Sequence, residues 1–149
     1  EKLLGDWLSG SGASPDADGS AWSSFGTYPR LHFLDQLIDA EASSLRGGDV
    51  DGTLAALDAA YEFSTSNNAE IRLRWSQLVA KHGFAPAFPS ILSFCQSTGK
   101  QKYIIPITIA LWTSGAAETT RPLAREVLET AASGWQDNVK ARALGVMKE

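Results

Sequence analysis

NNAEIRLRWSQLVAKH, residues 67 to 82, opens with Asn67 and Glu70 at the spacing of a capping box, where a short polar side chain and a glutamate satisfy the orphan amides of a helix start. Ile71, Trp75, Leu78, Val79 and His82 then recur at the helical period and form one broad stripe, with Leu73 roughly opposite. A helix apolar on two sides belongs between neighbours rather than on a surface. Glu70 and Arg74 stand four apart in the favourable order for an ion pair, worth about 0.2–0.5 kcal/mol if exposed. The remaining chain reads as helices stacked before and after this one.

Upstream, residues 3–8 (LLGDWL) have the pattern of a helix's last turns, already apolar where the sequence starts without methionine, and the chain is expected to be a piece of something longer. Residues 9–28 are rich in Gly, Ser, Asp and Ala and read as a long loop, with Trp22 and Phe25 the groups able to pin it to a core. Pro29, Leu31, Leu34, Ile38, Ala42 and Leu45 predict a helix over about 29–46, ended by Arg46-Gly47-Gly48. Asp49 or Asp51 can cap a shorter helix carrying Leu54, Leu57, Ala60 and Tyr61.

Downstream of Gly83, Pro86 suits a first turn, whereas Pro89 requires the helix to restart or distort. Phe88, Ile91, Leu92 and Cys95 are its expected buried face. Lys100 and Lys102 fall in a short connector, and Pro106 near the first turn of a helix holding Ile107, Leu111 and Trp112. Two more helices follow, one with Pro122, Leu123, Val127 and Ala131 and one with Trp135, Val139, Ala143 and Val146. YIIPITIAL is the one candidate strand, and Pro106 in its middle argues against a ladder. The fold expected is all-α, seven or so antiparallel helices in an irregular bundle or a two-layer armadillo-like superhelix.

A single domain is the prior for 149 residues, 44% of them hydrophobic, with five Trp and six Phe. The net charge of −4, spread through the chain, leaves no basic stripe for a nucleic-acid backbone. No apolar run approaches the roughly 20 residues that span a bilayer. A single cysteine, Cys95, fits a reducing compartment such as the cytoplasm. HExxH, CxxC, GxGxxG and the phosphate-binding lysine loop are all missing. His32 reads as solvent-facing, His82 as part of a packed face and Cys95 as a buried thiol, so no catalytic or metal-ligating residue is expected here. The constellation with electrostatic meaning is Gly99-Lys100-Gln101-Lys102-Tyr103. Two lysines before a helix whose first amides are unpaired can hold a carboxylate or other anion.

YEFSTSNNAEIRLRW (Tyr61 to Trp75), followed by Pro89 and GKQKYIIP (Gly99 to Pro106), resembles the C-terminal domain of the leukotriene A4 hydrolase and aminopeptidase B family of zinc metallopeptidases. The resemblance is strongest from Tyr61 to Leu111 and covers most of the chain. It implies an all-helical, armadillo-like coil packed against the catalytic domain of the same protein, closing one side of the active-site cleft. It also implies that Lys100 occupies the position binding the free carboxylate of a peptide or fatty-acid epoxide, with Lys102 at the adjacent supporting position. Lysine at 100, where the hydrolase typically has arginine, supplies a point charge without a fork and looks closer to aminopeptidase B. Zinc, the general-base glutamate and the transition-state tyrosine of the family belong to the other domain, which would use zinc and a glutamate-activated water on an N-terminal peptide bond. Two other readings stay open: a helical protein-binding module, and a scaffold whose lysines never meet substrate.

Overall fold

The structure, a computed structural model, describes residues 2–9 and 15–148. Its described residues form nine α-helices: α1 (Lys2–Ser9), α2 (Ser20–Ser23), α3 (Thr27–Asp39), α4 (Val50–Tyr61), α5 (Ala69–His82), α6 (Phe88–Ser97), α7 (Gln101–Thr113), α8 (Ala117–Ala131) and α9 (Asp137–Val146). Short 3-10 turns fill several of the joints, and no strand occurs among the described residues. The all-α class expected from the helical periodicities is therefore the class observed. The chain resolves into two compact units, one up to Trp75 and one from Ser76 onward, the boundary falling inside α5.

The first unit is built on aromatic rings. Trp22 stacks on Tyr61 with centroids 4.8 Å apart and meets Phe33 and Phe63 edge-on, each at 5.3 Å. Phe63 continues to Trp75 at 5.1 Å. Trp7 of α1 approaches Tyr61 at 5.9 Å and donates its indole hydrogen to the phenol oxygen at 2.9 Å. Trp22 thus pins its segment to the core, as its place in a Gly/Ser-rich stretch predicts. The expected 9–28 loop is corrected, because it contains α2, and Ser9, Thr27 and Tyr28 belong to α1 and α3; residues 10–14 of it lie outside the described residues. The buried Asp16 carboxylate accepts from the amides of Ala21 (3.1 Å) and Trp22 (3.0 Å) and so holds α2 in place. Phe25 is only half-buried.

Two boundaries differ from the sequence expectation for physical reasons. The helix predicted over 29–46 stops at Asp39, where Ala40 turns extended (φ −70°, ψ 143°). Its buried stripe is Phe33, Leu34 and Leu37, and beyond Ile38 no large apolar residue rewards continuation until Leu45. Leu45 is fully buried from a non-helical position, followed by Arg46, Gly47 and Gly48 at φ of 46°, 73° and 92°. Such left-handed backbone suits glycine and ends a helix. At the start of α5 the cap is Asn68, not Asn67. Asn68 Oδ1 accepts from the amides of Glu70 (3.0 Å) and Ile71 (3.4 Å). Glu70 therefore does not close a capping box, and its carboxylate pairs with Arg74 at 3.1 Å as its spacing predicts, while Arg74 Nε also bonds Asp35 at 2.9 Å. Asp49 caps α4 through Gly52 N, as expected.

In the second unit, α7 packs on α8 and α9, and α6 on α8. Leu78, Val79 and Ala80 of α5, with Ile91, Cys95, Ile104, Ile107 and Leu111, are fully buried. Gly83 ends α5 at φ 65°, and Phe84 N closes back onto Val79 O at 3.1 Å. Pro86 sits in a 3-10 turn (Ala85–Ala87), and α6 restarts at Phe88 with Pro89 in its first turn. Trp135 precedes α9 instead of joining it and donates its indole hydrogen to Cys95 O at 3.1 Å.

Candidate functional site

The two lysines singled out by sequence lie at the amino end of α7. The chain leaves α6 through Thr98, which is extended (φ −113°, ψ 134°), passes Gly99, and reaches Lys100 as the residue that caps α7 (φ −80°, ψ 123°). Lys100 O accepts from Tyr103 N at 3.0 Å and Ile104 N at 3.1 Å, which starts the helix. The side chain of Lys100 makes no capping hydrogen bond and is exposed.

Lys102 is not in a connector, as its neighbourhood in the sequence predicts, but is the second residue of α7. Pro106 correspondingly lies inside α7 beyond its first turn. A proline there lacks the amide of a regular helix rung and disfavours helix in an isolated chain. Here Ile104, Ile105, Ile107, Thr108 and Leu111 are all buried, and that apolar anchoring carries the helix through the proline. The continuity of Tyr103-Ile104-Ile105 with Ile107 was the signal in the sequence for a helix starting this early.

Both lysines are thereby mounted on a rigid element. Tyr103, the residue between Lys102 and the isoleucines, is buried, with its ring 5.7 Å from that of Phe94. Lys102 Nζ lies 4.9 Å from the Tyr103 ring centroid, so the ring face orients the ammonium. The first turn of α7 holds no acidic residue. The amino end of the helix dipole and two exposed ammonium groups therefore carry charge of the same sign around the start of α7. What this arrangement can do is hold an anion by charge and hydrogen bonding. Cys95 is fully buried within α6. Among the described residues no group of three or more His, Cys, Asp or Glu could hold a metal ion. His32 is exposed on α3. No helix of the described residues is long and apolar enough to cross a membrane. An apolar hollow of about 300 Å³ between α6 and α8, lined by Phe88, Pro89, Leu92, Pro122 and Leu123 among others, does not include either lysine.

Comparison with known proteins matches residues 25–143 to the family described as leukotriene A4 hydrolase, C-terminal. Aminopeptidase B of Mus musculus is 33% identical over 140 residues, 93% of this chain and 20% of that protein. Aminopeptidase B of Rattus norvegicus is 34% identical over the same share of both chains. Aminopeptidase B of Homo sapiens is 34% identical over 119 residues, 80% of this chain and 17% of that protein. The chain thus spans about one fifth of the length of these relatives.

Proposed function

The chain belongs to the leukotriene A4 hydrolase C-terminal domain family, and on that premise we propose that it is the accessory helical domain of a zinc aminopeptidase, presenting Lys100 and Lys102 to the free carboxylate of the substrate. The observation that supports this reading is the amino end of α7, where Lys100 and Lys102 are both exposed at the positive end of the helix with no acidic residue in the first turn. A substrate held there by its carboxylate is fixed at the end remote from the bond being broken, and its reaction with the catalytic groups becomes effectively intramolecular. The contribution of this chain is positioning by charge. On this reading zinc is held by a catalytic domain elsewhere in a longer protein, and the helices serve that domain as a wall of the substrate cleft. A cytoplasmic location belongs to the same reading.

The test compares three proteins on aminoacyl peptide substrates: the longer protein containing this chain, the same protein lacking it, and the 149-residue chain alone. Zinc-dependent release of the N-terminal residue by the first, with loss in the second and none in the third, is the expected pattern. Unchanged hydrolysis after removal of the chain overturns the accessory role, and absence of zinc-dependent hydrolysis from the longer protein overturns the enzyme class.

A further inference from the structure

At the other end of α7, two guanidinium groups share one indole. Arg121 and Arg125, one turn apart on α8, place Cζ at 4.5 Å and 5.2 Å from the Trp112 ring centroid. Arg121 Nε also donates to Trp112 O at 2.9 Å, which fixes that guanidinium against the last turn of α7. Neither arginine is in an ion pair with a carboxylate among the described residues, although Glu118, Glu126 and Glu129 are on the same helix. Trp112 is buried, and its Nε1 has no hydrogen-bond partner among the described residues.

Like charges four apart on a helix repel, and here both are held against one ring instead of diverging. The α7 carbonyl end accounts for one nitrogen of Arg121 and for nothing on Arg125. Among the described residues nothing hydrogen-bonds the Nη donors of Arg121 or the fork of Arg125.

We propose that Arg121 and Arg125, stacked on Trp112, form a binding site for a phosphate group. The charge selects the ligand class. A carboxylate neutralises one of two guanidiniums, whereas a phosphate monoester carries about −1.5 to −2 at neutral pH and presents enough oxygens for two forks. The site is separate from the lysine end, since the twelve residues from Gln101 to Trp112 span about 18 Å of helix. It does not depend on the proposed carboxylate role of the lysines.

The test is a titration of the 149-residue chain with inorganic phosphate at constant ionic strength, followed by the indole and arginine Nε resonances in nitrogen-15 spectra. Trp112→Phe assigns the indole signal among the five tryptophans. Saturable movement of the Trp112 and Arg125 signals, with a dissociation constant on the order of millimolar, is expected. Acetate at the same ionic strength should bind about tenfold more weakly. Arg125→Gln, at an exposed position, should abolish saturation with the spectrum otherwise unchanged, and Arg125→Lys should restore only part of it. A titration of Arg125→Gln that matches the wild type overturns the site. Equal movement with chloride, or movement confined to signals near Lys100 and Lys102, overturns it as well.

Discussion

Trp22→Ala tests whether the segment ahead of α3 is part of the core or merely lies on it. Trp22 is 6% exposed and touches four rings, those of Tyr61, Phe33, Phe63 and Phe25. Truncating a buried tryptophan removes the transfer energy of a large side chain and leaves a cavity, together about 3–5 kcal/mol. The ring contacts are part of that sum and are not added to it. Phe25→Ala supplies the comparison. Phe25 is half-buried and meets Trp22 at 6.2 Å, so its loss should cost less than about 1.5 kcal/mol. Urea unfolding at 25 °C followed by far-ultraviolet circular dichroism reads both. With an m-value of about 1–3 kcal/mol/M, Trp22→Ala should lower the midpoint by roughly 2 M and Phe25→Ala by well under 1 M. Equal losses for the two variants, or a Trp22→Ala loss below about 1 kcal/mol, would refute the idea that this residue anchors the segment.

Three further outcomes follow from local geometry. Burial pushes the Tyr61 phenol above its ordinary value, helped by the neighbouring Asp16 carboxylate and opposed by the bond from Trp7. The folded chain therefore keeps a proton that the unfolded chain releases above about pH 10, so stability should fall as pH rises past that point; Tyr61→Phe should flatten the fall in urea titrations between about pH 9 and 11, and an unchanged slope would contradict it. Gly83→Ala should cost about 1–3 kcal/mol by thermal unfolding, because φ is 65° there and the new methyl would lie 2.6 Å from Ala116 Cβ; a neutral result would show that the α5 terminus relaxes freely. Asn68→Ala should cost about 1 kcal/mol and Asn67→Ala close to nothing, since only Asn68 caps α5, and the reverse order in chemical denaturation would restore the capping box.

Most helix ends were legible where a punctuating residue followed an apolar stripe, the exception being α3, which stops at Asp39 well before Gly47-Gly48. Gly99, Ser114-Gly115 and Ser133-Gly134 mark joints that the structure has. The readings that failed share one cause, namely that tertiary burial decides where a local signal is ambiguous. Asn67 and Asn68 are equally good caps in isolation, and the helix takes Asn68, whose Oδ1 accepts from the amides of Glu70 and Ile71. Pro106 looks like a helix start because prolines favour first turns, but the isoleucines on both sides of it are worth more buried than the missing rung costs. The loop before α3 hid α2 because its cap is the side chain of Asp16, five and six residues before the amides it binds. The lysine pair was visible as a charge pattern. Its mounting on a helix and the orientation of Lys102 over Tyr103 were not, since both depend on where α7 begins. The Arg121–Trp112–Arg125 stack joins two helices and has no signature within either one.

The most direct measurement is of substrate discrimination in the longer protein: kcat/KM for one peptide with a free C-terminus and for its amide, in the wild type and in Lys100→Ala. Lys100 is exposed at the start of α7, so a charge-assisted contact from it to a carboxylate should be worth about 1.4 kcal/mol, or tenfold. The expected result is a free-acid preference in the wild type that shrinks about tenfold in Lys100→Ala, with the amide rate nearly unchanged. The same ratio of free acid to amide in both proteins would contradict the carboxylate role and leave Lys100 a surface residue of a helical scaffold.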